Sequence, residues 1–301
     1  MKELLNLQLT MFAMMFVGLI LRKMNIITIE GKKCITDLVI NVILPANIIK
    51  SFMIEFNREI FWNFFSILMI SIGVQILCTF LSRILYRKES SDRRKVLQYG
   101  IVCSNAGFLG NPIAEGVFGS MGLSLASVYL IPMRIVMWSA GVSYFTESPD
   151  KKTLVKKVMT HPCIVAVFIG IFLMLSQITL PGFLTSSIVS LSNCNTAMSM
   201  IVIGTILSEV DFKTMLDKTV LSYSFLRLCI LPLIVFVVTM FLPVDSLVRG
   251  VATLLTAMPT GATTAILAAK YDGDAIFATK CVVCSTVLSL ATTFVWSIVL
   301  L

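Results

Sequence analysis

Apolar runs of membrane-spanning length alternate with short polar connections along the whole chain. A bilayer core takes about 20 apolar residues per helix, and on that measure the sequence divides into ten spans. The first five run near 4–21, 34–54, 61–86, 96–118 and 121–145. The second five run near 162–180, 183–207, 219–242, 246–268 and 275–300. The second and seventh are the most polar, carrying Asp37, Asn41, Asn47, Asn193 and Asn195. The pattern predicts an all-α membrane protein with ten transmembrane helices.

The basic residues orient these spans. Arg22, Lys23, Lys32 and Lys33 lie in the first connection, and Arg87, Lys88, Arg93, Arg94 and Lys95 in the third. Lys151, Lys152, Lys156 and Lys157 lie in the fifth, and Lys213 and Lys218 in the seventh. The even connections hold only Lys50, Arg58 and Arg249. Positive charge gathers on the cytoplasmic side, so the odd connections are expected there and both termini outside a cell membrane. Each half has five spans, an odd number, so the second half enters from the opposite side. The halves 1–148 and 149–301 are therefore expected to be inverted repeats, joined by the connection from Glu147 to Thr160.

Composition narrows the function. Hydrophobic residues make up 57% of the chain and charged residues 13%, about half the charge of a soluble domain. The net charge of +8 sits in short loops beside apolar spans, which argues against a nucleic-acid partner. The eight cysteines fall mostly inside apolar segments and read as free thiols. Cys281-x-x-Cys284 has no second pair or histidine to complete a metal site. A single histidine excludes HExxH chemistry, and no Walker loop or Gly-x-Ser-x-Gly elbow occurs. No catalytic residue, metal or cofactor is expected. No small-residue cleavage pattern follows the first apolar run, which reads as an uncleaved span.

The candidate chemistry lies where helices should break. Gly110-Asn111-Pro112 interrupts the fourth span and Ala257-Met258-Pro259-Thr260-Gly261 the ninth. Proline removes a backbone donor, and broken backbone survives in a bilayer only where protein or a water-filled cavity satisfies it. Matching breaks in the two halves point to a transporter's binding site. A half-helix beginning near Pro112 would offer free N–H groups and a positive dipole end to an anion. Asn111 supplies an amide beside it, and Gly261, Thr260, Thr263 and Thr264 line the second break. Asn47 and Asn195 are candidate cavity residues of the second and seventh spans. Arg134 is deep in the fifth span, a candidate for substrate or gating. Glu115 is placed to pair with it, or to end at the outer interface. Arg227 is expected to snorkel to the cytoplasmic face, His161 to cap the helix that follows, and Asp272-Gly273-Asp274 to form a polar turn.

The chain resembles the auxin efflux carrier family of permeases, including its bacterial members, over essentially its full length. The resemblance is carried by Leu44-Pro45-Ala46, by Ser104-Asn105-Ala106-Gly107-Phe108-Leu109-Gly110-Asn111-Pro112 running to Phe118-Gly119, by Ala257-Met258-Pro259, and by Ala268-Ala269-Lys270-Tyr271-Asp272. It implies two inverted five-helix repeats in which broken helices four and nine cross at their prolines, the fold of bile-acid symporters and sodium–proton antiporters. It implies an elevator-like motion of helices 3–5 and 8–10 against a scaffold of helices 1, 2, 6 and 7. The implied substrate is a small organic anion, and Pro112 and Pro259 match the family's crossover prolines, with Asn111 beside the first; with the residues read above, the expected carboxylate site is Asn105, Asn111, Pro112, Pro259, Thr260, Gly261, Asn47, Asn195 and Arg134. The expected partners are that anion and the lipid bilayer, with a homodimer allowed. Ala106 stands where many members have an aromatic residue, and the seventh span lacks a proline that many relatives carry, so nothing ties the chain to auxin itself. The rival expectation is a membrane receptor that binds the same ligand without moving it.

Overall fold

A computed structural model describes residues 2–137, 144–145, 156, 159–208, 217–271 and 273–301. The basic residues Lys151, Lys152, Lys157 and Lys213, and Asp272, lie outside the described residues. The described chain is helical throughout: α1 (Lys2–Lys23), α2 (Ile29–Ser51), α3 (Arg58–Ile84), α4 (Ser91–Val102), α5 (Ala106–Val136), α6 (Pro162–Ser176), α7 (Gly182–Leu207), α8 (Lys218–Met240), α9 (Ser246–Thr256), α10 (Thr263–Lys270) and α11 (Ala275–Leu300). Among the described residues seven helical segments are long and apolar enough to cross a bilayer, while α6 and α9 are apolar but shorter. Gly119 interrupts α5 with φ 68° and ψ −162°. That is backbone which a residue with a Cβ adopts only under strain, and it lets the chain turn between two helical stretches.

Pro45, Pro112 and Pro232 sit inside continuous helix. Each follows by two residues the end of a wide, π-type turn, at Val39–Ile43, Ala106–Gly110 and Leu226–Ile230. In each case the next amide, of Leu44, Asn111 or Leu231, donates five residues back, to Val39, Ala106 or Leu226. The extra residue in the turn accommodates a proline that offers no N–H and crowds the carbonyl four residues before it. The expected break at Pro112 is thereby corrected. The fourth span is interrupted earlier, at Cys103-Ser104-Asn105, and Pro112 lies one turn inside the helix that follows.

An apolar core is threaded with buried hydroxyls, and the exterior is apolar as well. Ser71, Ser124, Ser127, Thr253, Thr256, Ser285, Ser289, Thr293 and Ser297 are buried, while Phe16, Phe61, Trp62, Phe80, Phe172, Phe183 and Phe241 are exposed. Many of the hydroxyls are satisfied locally: Ser127, Thr256, Thr293 and Ser297 donate to the carbonyl four residues back, while Thr253 Oγ1 has no partner. Small polar side chains let helices approach closely. An apolar exterior of this extent is stable only in contact with lipid.

The connections meet in two sets. Arg93, in the first turn of α4, pairs with Asp217 ahead of α8 at 3.4 Å and with Asp274 ahead of α11 at 3.6 Å, and its guanidinium lies 4.6 Å from the centre of the Phe277 ring. On the other set, Gln177 after α6 donates to the Ile54 carbonyl after α2 at 3.2 Å, and Ser124 just past Gly119 bonds the Ser51 carbonyl. The starts of α4, α8 and α11 thus gather together, as do the ends of α2 and α6 and the stretch after Gly119.

Helix α1 packs along the Asn195–Leu207 stretch of α7 through a reciprocal glycine contact. A methyl group at Gly18 would strike the Ile201 backbone, and one at Gly204 would strike the Met15 carbonyl. Gly18→Ala and Gly204→Ala are each expected to lower stability by about 1–3 kcal/mol through overpacking, read as a lower melting midpoint of the detergent-purified protein. Unchanged midpoints would show that α1 and α7 separate freely.

Candidate functional site

Two interruptions of the helical backbone meet in the interior. Cys103-Ser104-Asn105, between α4 and α5, runs antiparallel to Pro259-Thr260-Gly261, between α9 and α10. The Asn105 N–H donates to the Pro259 carbonyl at 2.7 Å, and the Gly261 N–H donates to the Cys103 carbonyl at 3.1 Å. Each break therefore satisfies the other, the solution that a low-dielectric interior demands of backbone outside a helix.

Side chains clamp this crossing. The Tyr223 and Thr260 hydroxyls are 2.7 Å apart, and the Thr260 N–H donates to Ser285 Oγ at 3.1 Å. Tyr129 and Thr256 hydroxyls lie 2.8 Å apart, and Tyr99 donates to Thr263 at 3.2 Å. Ser104 Oγ reaches Met133 Sδ at 3.4 Å. Gly100 lets the Tyr223 ring lie against α4, since a side chain there would collide with the phenol oxygen. Thr260 is thus committed to holding the crossing, and so are the backbones of Asn105, Pro259 and Gly261. The tyrosines, Thr256 and Ser285 are clamping positions that sequence reasoning missed. Nothing in their local pattern distinguishes them from ordinary helix-packing residues.

Four helix ends converge here: α4 and α9 stop at the crossing with their carbonyl ends, and α5 and α10 start from it with their amide ends. Neither starting end carries a side-chain cap, in contrast to α3, α8, α9 and α11, which are capped by Asn57, Asp217, Asp245 and Asp274. The opening of α10 is tight, with Thr264 and Ala265 donating three residues back. The opening of α5 is looser: its first internal donor is Leu109, to Asn105 at 3.0 Å. The amides before Leu109 have no carbonyl in their own helix. Beside them the space is open, because nothing lies within 4 Å of where a side chain at Gly107 would begin.

Asn111, one turn along α5, is fully buried, and neither its amide nitrogen nor its amide oxygen has a partner. Four residues further on the same helix, Glu115 pairs with Lys50 at 3.3 Å and accepts from Asn47 Nδ2 at 3.4 Å. Asn47 in turn donates to Ser192 Oγ at 3.0 Å and accepts from Asn195 Nδ2 at 3.4 Å, and Ser199 donates to Asn195 at 3.3 Å. Asn47 and Asn195, 148 residues apart in sequence, thus meet as a pair near the discontinuities of α2 and α7, where Cys194 interrupts the latter. Pro112 is buried beside Asn111.

Arg134 follows Met133 at the level of the crossing and is 4% exposed, with Nη1 unpaired. Its charge acts on His161 and Cys163 at the start of α6. The expected Arg134–Glu115 pair is corrected, since Glu115 is held by Lys50 and Asn47 instead. His161 Nδ1 caps α6 by accepting from the Cys163 N–H at 3.3 Å. Burial, with Arg134 second, pushes His161 down to about 4, which leaves the imidazole neutral at pH 7. Arg227 is also corrected: at 4% exposure it does not snorkel but lies buried in the wide turn of α8. Asp274 caps α11 and binds Arg93. An apolar groove of about 320 Å³ between α3 and α8, lined by Met69, Gly73, Ile234 and Val238, lacks any of this polar chemistry.

Comparisons with known proteins agree with a transport role. The family model described as Membrane transport protein matches residues 5–297. An uncharacterized transporter of Methanothermobacter thermautotrophicus is 28% identical over 301 residues, covering 97% of each chain. An uncharacterized transporter of Methanocaldococcus jannaschii is 22% identical over 308 residues, covering 99% of each.

The unpaired Asn111 amide makes a sharp prediction. Replacing a buried polar group that has no partner by an apolar one of like shape removes a desolvation penalty of about 1–3 kcal/mol. Asn111→Leu is expected to raise the melting midpoint while abolishing ligand binding. A lower midpoint in the absence of ligand would show that the amide serves the fold.

Proposed function

Because the chain belongs to the membrane transport protein family, the auxin efflux carrier permeases, we propose that it is a secondary transporter of a small organic anion, a carboxylate, bound beside the crossing. The observation that carries this reading is the uncapped amide end of α5, with open space at Gly107 and an unpaired buried amide at Asn111. Helix amide ends and an amide donor suit a carboxylate, and Arg134 adds a permanent charge at the same depth. Asn47 and Asn195 complete the polar wall from α2 and α7.

On this reading the chain crosses the bilayer ten times. Gly119 divides α5 into the end of the fourth span and the fifth, and the short helices α6 and α9 belong to the sixth and ninth. The Asn47–Asn195 pair and the Ser104–Thr260 bridge each join matching positions of two inverted repeats, 1–148 and 149–301. The odd connections face the cytoplasm and both termini face outward across the cell membrane. Helices of spans 3–5 and 8–10 carry the crossing as a moving unit against spans 1, 2, 6 and 7. The Lys50–Glu115 pair and the Asn47–Glu115 hydrogen bond then join moving and fixed parts and must part during each cycle.

Purified protein in liposomes is expected to move a radiolabelled mono- or dicarboxylate faster than protein-free vesicles. Binding without flux would make the protein a receptor, and neither binding nor flux across a carboxylate panel would refute the proposal. Gly107→Leu places a side chain whose Cβ meets nothing within 4 Å and improves helix propensity by roughly 0.8–1.0 kcal/mol. It should abolish flux without lowering the melting midpoint; full activity in this variant would place the ligand elsewhere.

A further inference from the structure

Arg227 lies four residues, about one turn, past Tyr223 on α8, and Tyr223 is the residue whose hydroxyl meets Thr260 at the crossing. It is 4% exposed, and its buried Nε has no hydrogen-bond partner. Among the described residues no carboxylate forms an ion pair with it. Its charge acts instead on Tyr223 and Tyr129, which clamp the two breaks, on Cys103 in the first break, and on Cys78 of α3. An uncompensated charge at such a place would be strongly unfavourable.

The compensation available is the backbone. α4 and α9 both end at the crossing, and each helix carboxyl end carries roughly half a negative charge. Together the two ends offset about one positive charge. The amide ends of α5 and α10, equal in size and opposite in sign, remain for an anion. Unwound carbonyls and half-helix carboxyl ends are where transporters of broken-helix design hold a bound cation.

We propose that Arg227 is the built-in cation of the crossing: its guanidinium occupies, from α8, the charge deficit that the carboxyl ends of α4 and α9 create. It acts on the site through these helix ends and is a positioning residue, with no contact to the substrate. The inference rests on the crossing and its helix ends, and stands or falls separately from the substrate reading. Removing the guanidinium creates a vacancy for a free monovalent cation of matching shape.

The test is thermal melting of the full-length protein in detergent at constant ionic strength. Sodium, guanidinium and the bulky N-methylglucamine ion are compared. The wild-type midpoint is expected to be the same in sodium and N-methylglucamine. Arg227→Gln should melt lower in N-methylglucamine and recover by roughly 2–4 °C in sodium or guanidinium, as a ligand that binds only the folded state requires. Arg227→Lys should stay insensitive to the cation. A merely structural arginine would give a glutamine variant destabilised equally in all three salts, and that outcome overturns the proposal. A wild-type midpoint that rises in sodium overturns it too, and this arm holds even if the glutamine variant does not fold.

Discussion

Everything in this molecule is arranged around two stretches of backbone that are not helical and are buried. In hydrocarbon an unpaired N–H or carbonyl costs several kcal/mol, so a break in one span cannot stand alone. Here the breaks at Cys103–Asn105 and Pro259–Gly261 meet antiparallel and exchange two backbone hydrogen bonds. That exchange fixes the depth and direction of α4, α5, α9 and α10 together. The tyrosine–threonine pairs around it, Tyr223–Thr260 and Tyr129–Thr256, then bind the neighbouring helices to the same point.

The same arrangement sorts charge. Two carbonyl ends and two amide ends are brought within one small volume, and two buried arginines flank it. Arg134 looks toward α6, with Nη1 unpaired. Arg227 looks toward the tyrosine clamp and the first break. The two are not equivalent: the charge of one acts at the start of α6, that of the other on residues that clamp the crossing.

Polar groups at the wall divide by whether they are satisfied. Asn47 is bonded to Ser192, Asn195 and Glu115, and Asn195 to Ser199. Asn111, a turn from Glu115, is bonded to nothing. Buried amides in native proteins are nearly always paired. An orphan amide beside an uncapped helix end is stability given up at one position.

Much of this was legible in the chain because hydrophobic length and basic connections are local properties. Span boundaries such as Gly182–Leu207 and Ala275–Leu300 lie within a residue or so of the apolar runs that predict them. Pro259 and Thr260 marked the second break for the same reason, since a proline that ends a ladder does so wherever it stands. Other features are decided by partners distant in sequence. Whether Pro112 breaks a helix or is absorbed in a wide turn depends on whether the chain can spare a residue from the turn before it. The true break at Ser104 exists only because Thr260 is there to pair with it. The fate of Arg227 turned on helix ends contributed by α4 and α9, which no pattern along α8 reveals. Sequence alone determines what must leave water and roughly where the chain must turn back; tertiary structure alone decides which unsatisfied groups find each other, because in a low dielectric that choice is made by contact across the fold.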